Sequence, residues 1–201
     1  MALWNRRADE AEAGQASADR LPPGQYVAGK WPVLHVGPVP RFDPKTWDFR
    51  VAGLVEQPLR LTWEEFNALP RVRSASDIHC VTTWSKYDNT WEGVSTREIL
   101  QRASVRSEAG FVMVLAESGY TTNLPLDAFL AEDALFATHH NGQPLEPEHG
   151  YPLRLVVPRL YFWKSAKWVR GIELMAQDRP GFWEQRGYSN SADPWKEERY
   201  W

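Results

Sequence analysis

The sequence predicts an α+β domain, in which short strands and short helices are mixed without a repeating strand–helix–strand order. Apolar residues alternate or run together over short stretches at several places, which is typical of strands. Two capping-box sequences, each placed before a short stretch with apolar residues, predict short helices. The length of 201 residues fits one domain, which we place at residues 21–201.

The first part of the chain lacks these patterns. Residues 1–20 are polar and rich in alanine, which predicts a flexible N-terminal tail. Arg6 and Arg7 are followed by acidic and small residues, so no export signal is predicted, and we expect a cytoplasmic protein. No stretch approaches the roughly 18 apolar residues of a membrane span. Prolines are frequent in residues 21–46, which predicts extended, irregular chain.

Regular structure is predicted from residue 47 onward. Apolar residues alternate with polar ones from Trp47 to Val51, which predicts a strand that ends near Gly53. The capping box at residues 62–65 predicts a helix to about residue 69, and the one at residues 95–98 predicts a helix to about residue 103.

The second half adds more strands. The continuous apolar run from Phe111 to Ala116 predicts a buried strand, and the Asn141–Gly142 pair predicts a tight turn. Residues 153–157 and 172–175 are further predicted strands.

Composition narrows the function. A formal net charge of -3 argues against a nucleic-acid-binding protein, which would usually be basic. The 11 tryptophans suggest the walls of a large ligand cavity, although a tryptophan-rich core and surface is an equal interpretation. With a single cysteine, Cys80, no disulfide can form within the chain.

Cys80 is the first candidate for chemistry. It follows a predicted strand and precedes a polar loop, and a thiolate is a soft ligand for a sulfur-seeking metal. Zinc is disfavoured because His79 and Cys80 have no matching Cys or His pair elsewhere. A single protein ligand implies that a cofactor supplies the remaining ligands. A thiol nucleophile paired with His139, His140 or His149 is an open alternative.

A basic stretch is the second candidate. Residues 149–170 hold five cationic side chains and no Asp or Glu, among many apolar residues. This predicts an anion-binding site, because guanidinium and ammonium groups bind phosphate well. A solvated basic face is the alternative. The five are Arg154, Arg159, Lys164, Lys167 and Arg170.

These residues resemble a known family. The stretch around Cys80, with Trp84, Trp91 and Gly93, is similar to the molybdenum-ligand segment of the sulfite oxidase family, which includes the bacterial methionine-sulfoxide reductase catalytic subunit. The pattern from His149 through Arg154, Val-Val-Pro158 and Lys164-Ser165-x-Lys167-Trp168 is similar to that family's molybdopterin-phosphate segment. The resemblance covers about residues 30–190, and short stand-alone oxidoreductases of the family are most similar.

The resemblance implies a fold, a cofactor and an activity. The fold is the sulfite oxidase-type molybdopterin-binding fold, and the cofactor is molybdenum with molybdopterin. The activity is oxygen-atom transfer to or from a small substrate, with electrons exchanged with a separate protein or carrier. A binding or interaction module that keeps the fold without catalysis is the alternative.

The resemblance also implies roles for residues of the two motifs. Cys80 is the molybdenum thiolate, and His149 with Arg154 binds the pterin and its phosphate. The same phosphate accepts hydrogen bonds from a short segment that comprises Ser165, Ala166 and Lys167.

Further residues follow from weaker matches. Leu34 and His35 lie where relatives line the pterin from the N-terminal side, and Glu117 or Ser118 lies where relatives contact it after a strand. Tyr188 ends a segment similar to the family's late Trp-x-x-x-x-Tyr pattern, whose hydroxyl faces the substrate pocket.

The sequence departs from sulfite oxidases at two substrate-binding arginines. Leu34 and the pair Thr83–Trp84 occupy those neighbourhoods. A less positive, more aromatic pocket is therefore predicted, which favours a neutral S-oxide or N-oxide over sulfite. No haem-attachment motif is present in the sequence.

Overall fold

A computed structural model describes residues 19–200, so the tail predicted at residues 1–20 lies almost entirely outside the described residues. The described chain forms two mixed β-sheets with three short α-helices, which confirms the α+β class. The helices are α1 (Trp63–Asn67), α2 (Thr96–Ala103) and α3 (Leu126–Phe129).

The first sheet has six strands. A path of four hydrogen-bonded strands runs through β1 (Tyr26–Val27), β5 (Trp84–Ser95), β8 (Leu135–His140) and β10 (Arg154–Val156). Two more strands pair with β5 and β8 respectively, namely β4 (Val72–His79) and β9 (Gln143–Pro144).

The second sheet has five strands. Their order is β3 (Leu59–Thr62), β2 (Asp48–Gly53), β11 (Val169–Met175), β6 (Phe111–Ala116) and β7 (Thr121–Pro125). The β2–β11 pair is parallel, and the other pairs of this sheet are antiparallel.

The first sheet carries apolar side chains on both faces, because successive residues of a strand point to opposite sides. In β10, Leu155 belongs to the main core shared with the second sheet, while Val156 belongs to a separate apolar cluster. Along β8, Phe136 packs into the main core and its neighbour Leu135 into the separate cluster. This second cluster contains Cys80.

The predicted helices form, but only one capping box does. The Thr62 side chain accepts from the Glu65 backbone, and the Glu65 carboxylate accepts from the Thr62 backbone. The capping box predicted at residues 95–98 is wrong. The Ser95 hydroxyl accepts from the Arg97 backbone N–H instead, and the Glu98 carboxylate accepts from the Arg102 side chain one turn later.

Most predicted strands are found at close to their predicted bounds. The Asn141–Gly142 turn joins β8 to β9 with positive φ angles of 49° and 77°. The strand predicted at residues 172–175 begins earlier, at Val169. The sequence predicts a strand before Cys80 but not its long hairpin with β5, because β4 has few apolar residues. None of the helices described here is long and apolar enough to cross a membrane.

Candidate active site

A cavity of about 330 Å³ opens where the second apolar cluster meets the proline-rich N-terminal segment. Nine of the eleven residues predicted to bind or act on the cofactor and substrate line this cavity. They come from five separate parts of the chain, which the fold brings together. The nine are Leu34, His35, Cys80, Glu117, Arg154, Ser165, Ala166, Lys167 and Tyr188.

Cys80 begins the turn between β4 and β5. Its backbone N–H donates to the Trp84 carbonyl at 2.8 Å, and its carbonyl accepts from Thr83 at 3.0 Å. The turn closes with Thr83 in the left-handed region, at a φ of 74°. Cys80 is only 8% exposed, yet it lies on the cavity wall, with Sγ 3.2 Å from the Thr82 hydroxyl.

The thiol is not set up as a free nucleophile. Burial raises the pKa of Cys80, although Thr82 and the Arg199 charge act against the increase. The neighbouring His79 bonds Ser85 through Nδ1 at 2.8 Å, and burial lowers the pKa of His79 to about 4. A metal cation would reverse the effect of burial, because a coordinating thiol is deprotonated outright.

Arg154 is a buried cation without a carboxylate partner in the described chain. It is 1% exposed, and its guanidinium donates only to the backbone carbonyls of His149 at 2.8 Å and Ser165 at 2.9 Å. Its Nε atom is buried with no hydrogen-bond partner. The group lies 4.3 Å from the centre of the Phe162 ring. Burial lowers the pKa of Arg154 to about 9.

Two more basic groups lie beside it. Burial, and then the Arg154 charge, lowers the pKa of the half-buried Lys167 to about 7 and that of His149 to about 4. The Lys167 ammonium donates to the Glu148 backbone carbonyl, and His149 Nε2 is 3.8 Å from the Glu146 carboxylate. This cluster would be stabilised by an anion, so these residues fit a phosphate group.

Two predicted cofactor residues are not brought to the cavity wall. The His149 ring is covered by Trp31, which stacks on it in parallel with ring centroids 3.8 Å apart. Ser118 lies in the turn after β6 with a φ of 57°, and its neighbour Glu117 reaches the cavity instead. The roles assigned to His149 and Ser118 remain predictions.

The basic stretch is divided between structural and cavity-facing roles. Lys164 pairs with Glu184 at 2.6 Å, and Arg170 pairs with Asp48 and Glu117. Arg159 is exposed. Two of the five cations are therefore neutralised by acids of other segments, and neither of these two was among the predicted phosphate contacts. Of the five cations in this stretch, Arg154 and Lys167 are the two that line the cavity.

Aromatic rings form much of the wall, as the tryptophan count suggested. Tyr188 stacks on Trp183 at 4.9 Å between centroids and meets Trp163 edge-on at 5.1 Å. Sequence reasoning gave no cavity role to Phe162 or Trp163, although their aromatic run beside Lys164 was a signal for one. Five tryptophans line the cavity, namely Trp31, Trp84, Trp163, Trp168 and Trp183.

Comparison with known proteins identifies the family. Residues 36–183 match the model of the oxidoreductase molybdopterin binding domain family. The chain belongs to this family. The match contains the turn that carries Cys80 and the whole stretch from His149 to Arg170.

Relatives and a solved structure agree with this assignment. The chain is 54% identical over 182 residues to the uncharacterized oxidoreductase YuiH of Bacillus subtilis, covering 90% of this chain and 92% of that protein. It is 30% identical over 166 residues to the protein-methionine-sulfoxide reductase catalytic subunit MsrP of Campylobacter jejuni, covering 71% of this chain and 54% of that protein. The crystal structure of the sulfane dehydrogenase SoxCD from Paracoccus pantotrophus shares the fold, with a TM-score of 0.63 and 23% identity over 69% of this chain and 40% of that one. The protein is therefore a molybdopterin-binding oxidoreductase with a sulfite oxidase-like fold.

Proposed function

We propose that this protein binds molybdenum with molybdopterin in the aromatic cavity and transfers an oxygen atom to or from a small S-oxide, N-oxide or sulfite-like substrate. One observation carries the proposal. The only cysteine lies on the wall of the same cavity as Arg154, a buried guanidinium without a carboxylate partner in the described chain. A soft metal ligand and an anion site are the two contacts that a metal on a phosphorylated organic ligand requires.

Each end of the cofactor would meet different residues. Cys80 would bind the metal, and Arg154 and Lys167 would bind the phosphate with the help of the segment around Ser165. When bound, the cofactor supplies a metal that changes its oxidation state by two electrons, as oxygen-atom transfer requires. Among residues 19–200 there is no group of three or more His, Cys, Asp or Glu side chains that could hold a metal.

Tyr188 is the proposed catalytic residue at the substrate side. Burial raises the pKa of its phenol, so the hydroxyl keeps its proton at neutral pH and can donate to the oxygen of a substrate. The rings of Trp163 and Trp183 hold the phenol in place. We propose that Tyr188 orients the oxygen that is transferred.

The composition of the wall favours a neutral substrate. Trp84 and Leu34 line the cavity where an arginine pair would suit a sulfite dianion. The two cations that do line the wall are those assigned to the phosphate. An S-oxide or N-oxide, with one hydrogen-bond acceptor and apolar substituents, fits such a wall better than a dianion.

Electrons must reach or leave the site from outside the described residues. We propose a separate electron-transfer protein or small carrier as the partner. The cytoplasmic location inferred from the sequence remains a prediction, as does the single domain at residues 21–201.

Metal and pterin analysis of protein purified from a molybdenum-competent host tests the proposal. We expect about one molybdenum and one pterin per chain, and turnover of S-oxides or N-oxides with a reduced dye. The Cys80→Ser variant should fold normally and show no turnover, while Ser107→Ala, on an exposed loop, should match the parent. Parent protein without molybdenum and pterin would contradict the proposal and favour the non-catalytic binding module.

A thiol enzyme makes the opposite prediction. Activity would persist in metal-free protein and would be lost on alkylation of Cys80. The structure gives this alternative no support, because no histidine among residues 19–200 is hydrogen-bonded to Cys80 Sγ.

A further inference from the structure

The Cys80 turn is held by side chains from both ends of the described chain. Gln25 donates through Nε2 to the Cys80 carbonyl at 3.0 Å, and Arg199 donates through Nη1 to the Val81 carbonyl at 2.6 Å. Gln25 and Arg199 both lie outside residues 36–183, the part that matches the family model. Gln25 and Arg199 therefore reach the Cys80 turn from the segments that flank the matched residues.

The backbone of the turn supplies a donor for the Cys80 carbonyl, from Thr83, but none for the Val81 carbonyl among the described residues. Regular pairing between β4 and β5 ends at His79 and Ser85, so the carbonyls between them lie outside the strand ladder. Buried carbonyls that lack a partner are costly. Val81 is 6% exposed, and Arg199 is the donor to its carbonyl, so this bond fixes the residue directly after the sulfur.

The N-terminal contact continues into a short ladder. Gln25 also accepts from the Ser85 hydroxyl at 3.3 Å, and the next residues pair with the far side of the turn. Tyr26 donates to the Thr83 carbonyl at 2.9 Å, and Ala28 donates to the Ser85 carbonyl at 2.8 Å. The segment that begins at Gln25 is thus hydrogen-bonded to Cys80, Thr83 and Ser85, at the two ends of the turn.

The C-terminal contact connects the turn to the cavity wall. The Arg199 side chain is 14% exposed, and its guanidinium lies 5.1 Å from the centre of the buried Tyr161 ring. Tyr161 directly precedes Phe162 and Trp163, which line the cavity. Phe162 itself donates to the His79 carbonyl at 2.8 Å. Arg199 thereby couples the position of the turn to that of the aromatic wall.

We propose that Gln25 and Arg199 are positioning residues for Cys80, which hold the turn so that the sulfur faces the cavity in one fixed orientation. This inference rests on the proposed function in one respect, namely that the sulfur binds a metal. Partners of a metal ligand that set its orientation affect metal affinity and activity by about 10- to 100-fold in other proteins.

Alkylation of Cys80 in metal-free protein tests the positioning without any cofactor. Since Cys80 is the only cysteine, iodoacetamide reports on this turn alone. The rate is measured at high pH, where the thiol is ionised, so that it reports access to the sulfur. Arg199→Met and Gln25→Ala should each raise this rate about five- to tenfold, as expected when a hydrogen bond that closes the turn is removed.

Control variants distinguish a local effect on the position of Cys80 from a general loss of stability of the fold. Arg97→Met removes another arginine that donates to a backbone carbonyl, that of Leu130. Neither residue lines the cavity, so this variant should leave the rate unchanged. Arg199→Lys keeps a donor and the charge and should recover part of the effect. Gln25→Ala, in an exposed segment, keeps the test available if Arg199→Met fails to fold.

The loaded enzyme gives a second measurement. The electron paramagnetic resonance spectrum of its molybdenum depends on the orientation of the sulfur ligand, so Arg199→Met and Gln25→Ala should shift it while Arg97→Met should not. Unchanged alkylation rates and spectra in both variants would overturn the inference. Parent protein that carries no molybdenum would instead remove the proposed function, and the alkylation result would still decide whether the turn is held by these residues.

Discussion

Lys164 and Arg154 belong to the same basic stretch and are both buried, but their surroundings differ. Lys164 is fully buried, with its ammonium 2.6 Å from the Glu184 carboxylate and 2.8 Å from the Asn123 carbonyl. Arg154 is 1% exposed, and its acceptors among residues 19–200 are backbone carbonyls alone. Glu184 neutralises Lys164, whereas Arg154 is the cation that we propose binds an anionic ligand.

The presence or absence of a carboxylate partner distinguishes a charge that stabilises the fold from one that is suited to bind a ligand. A buried ion is costly unless it is paired, so a protein that buries an unpaired guanidinium beside a cavity needs an external anion to offset that cost. Glu184 also accepts from Trp163 Nε1 at 2.9 Å, so the Lys164 pair supports the cavity wall without reaching the cavity.

The largest effect should come from breaking the internal pair. Lys164→Met leaves the Glu184 carboxylate buried without its cation, and the free energy of unfolding should fall by about 3–5 kcal/mol. Urea unfolding of the metal-free protein measures the change. Arg179→Met, which removes an exposed pair with Glu173, should cost less than about 1 kcal/mol. A Lys164→Met variant as stable as the parent would show that the pair is not structural.

Arg154→Met should have the opposite profile. Its removal relieves an unpaired buried charge while freeing two carbonyls, so the free energy of unfolding should change by no more than about 1–2 kcal/mol. Binding of sulfate, a probe for the phosphate, should weaken about 10- to 100-fold. Titration calorimetry on metal-free protein measures sulfate binding, and Arg106→Met, at an exposed pair, is the control. Unchanged sulfate affinity in Arg154→Met would place the anion site elsewhere.

The pH dependence of sulfate binding should report on Lys167. Its pKa of about 7 means that the ammonium is charged below that pH and neutral above it, while Arg154, with a pKa of about 9, stays charged. Sulfate affinity should therefore fall by up to about tenfold between pH 6 and pH 8. Lys167→Met should bind sulfate weakly at both pH values, with a flat profile. A steep profile in that variant would assign the titration to another group.

The sequence could predict the parts of this molecule that depend on local pattern. Two strands could be predicted from local pattern alone. They are the alternation from Trp47 to Val51 and the apolar run from Phe111 to Ala116, where the residues that become buried are visible within a few positions of sequence. The strand β4 has few apolar residues, and its pairing with β5 is decided by a partner rather than by its own composition.

The same limit applies to the site. The local motifs identified Cys80, Arg154 and Lys167, which the fold brings to one cavity. The basic composition of residues 149–170 alone does not separate Lys164 and Arg170 from the other cations, because the acids that pair with those two lie outside this stretch. The stacking of Trp31 on His149 could not be predicted either, because it depends on the path of the irregular, proline-rich residues 21–46.

A further effect should come from His149, which lies beside Arg154 and should change the pH dependence of stability. Its pKa is lowered to about 4 by burial and by the Arg154 and Lys167 charges, with Glu148 acting in the other direction. The unfolded chain, with an ordinary histidine pKa of about 6.5, binds more protons between these values, so stability is lost as the pH falls from about 6.5 to about 4. His79 and His140, also lowered to about 4, contribute to the same loss.

His149→Asn should therefore reduce the loss of stability between pH 7 and pH 5 by about 2 kcal/mol, measured by urea unfolding. Saturating sulfate should produce part of the same reduction in the parent, because an anion beside Arg154 and Lys167 lessens their repulsion of a protonated His149. A loss that does not respond to sulfate would show that His149 titrates independently of the anion site. It would then belong, with Lys164, to the structural side of the division.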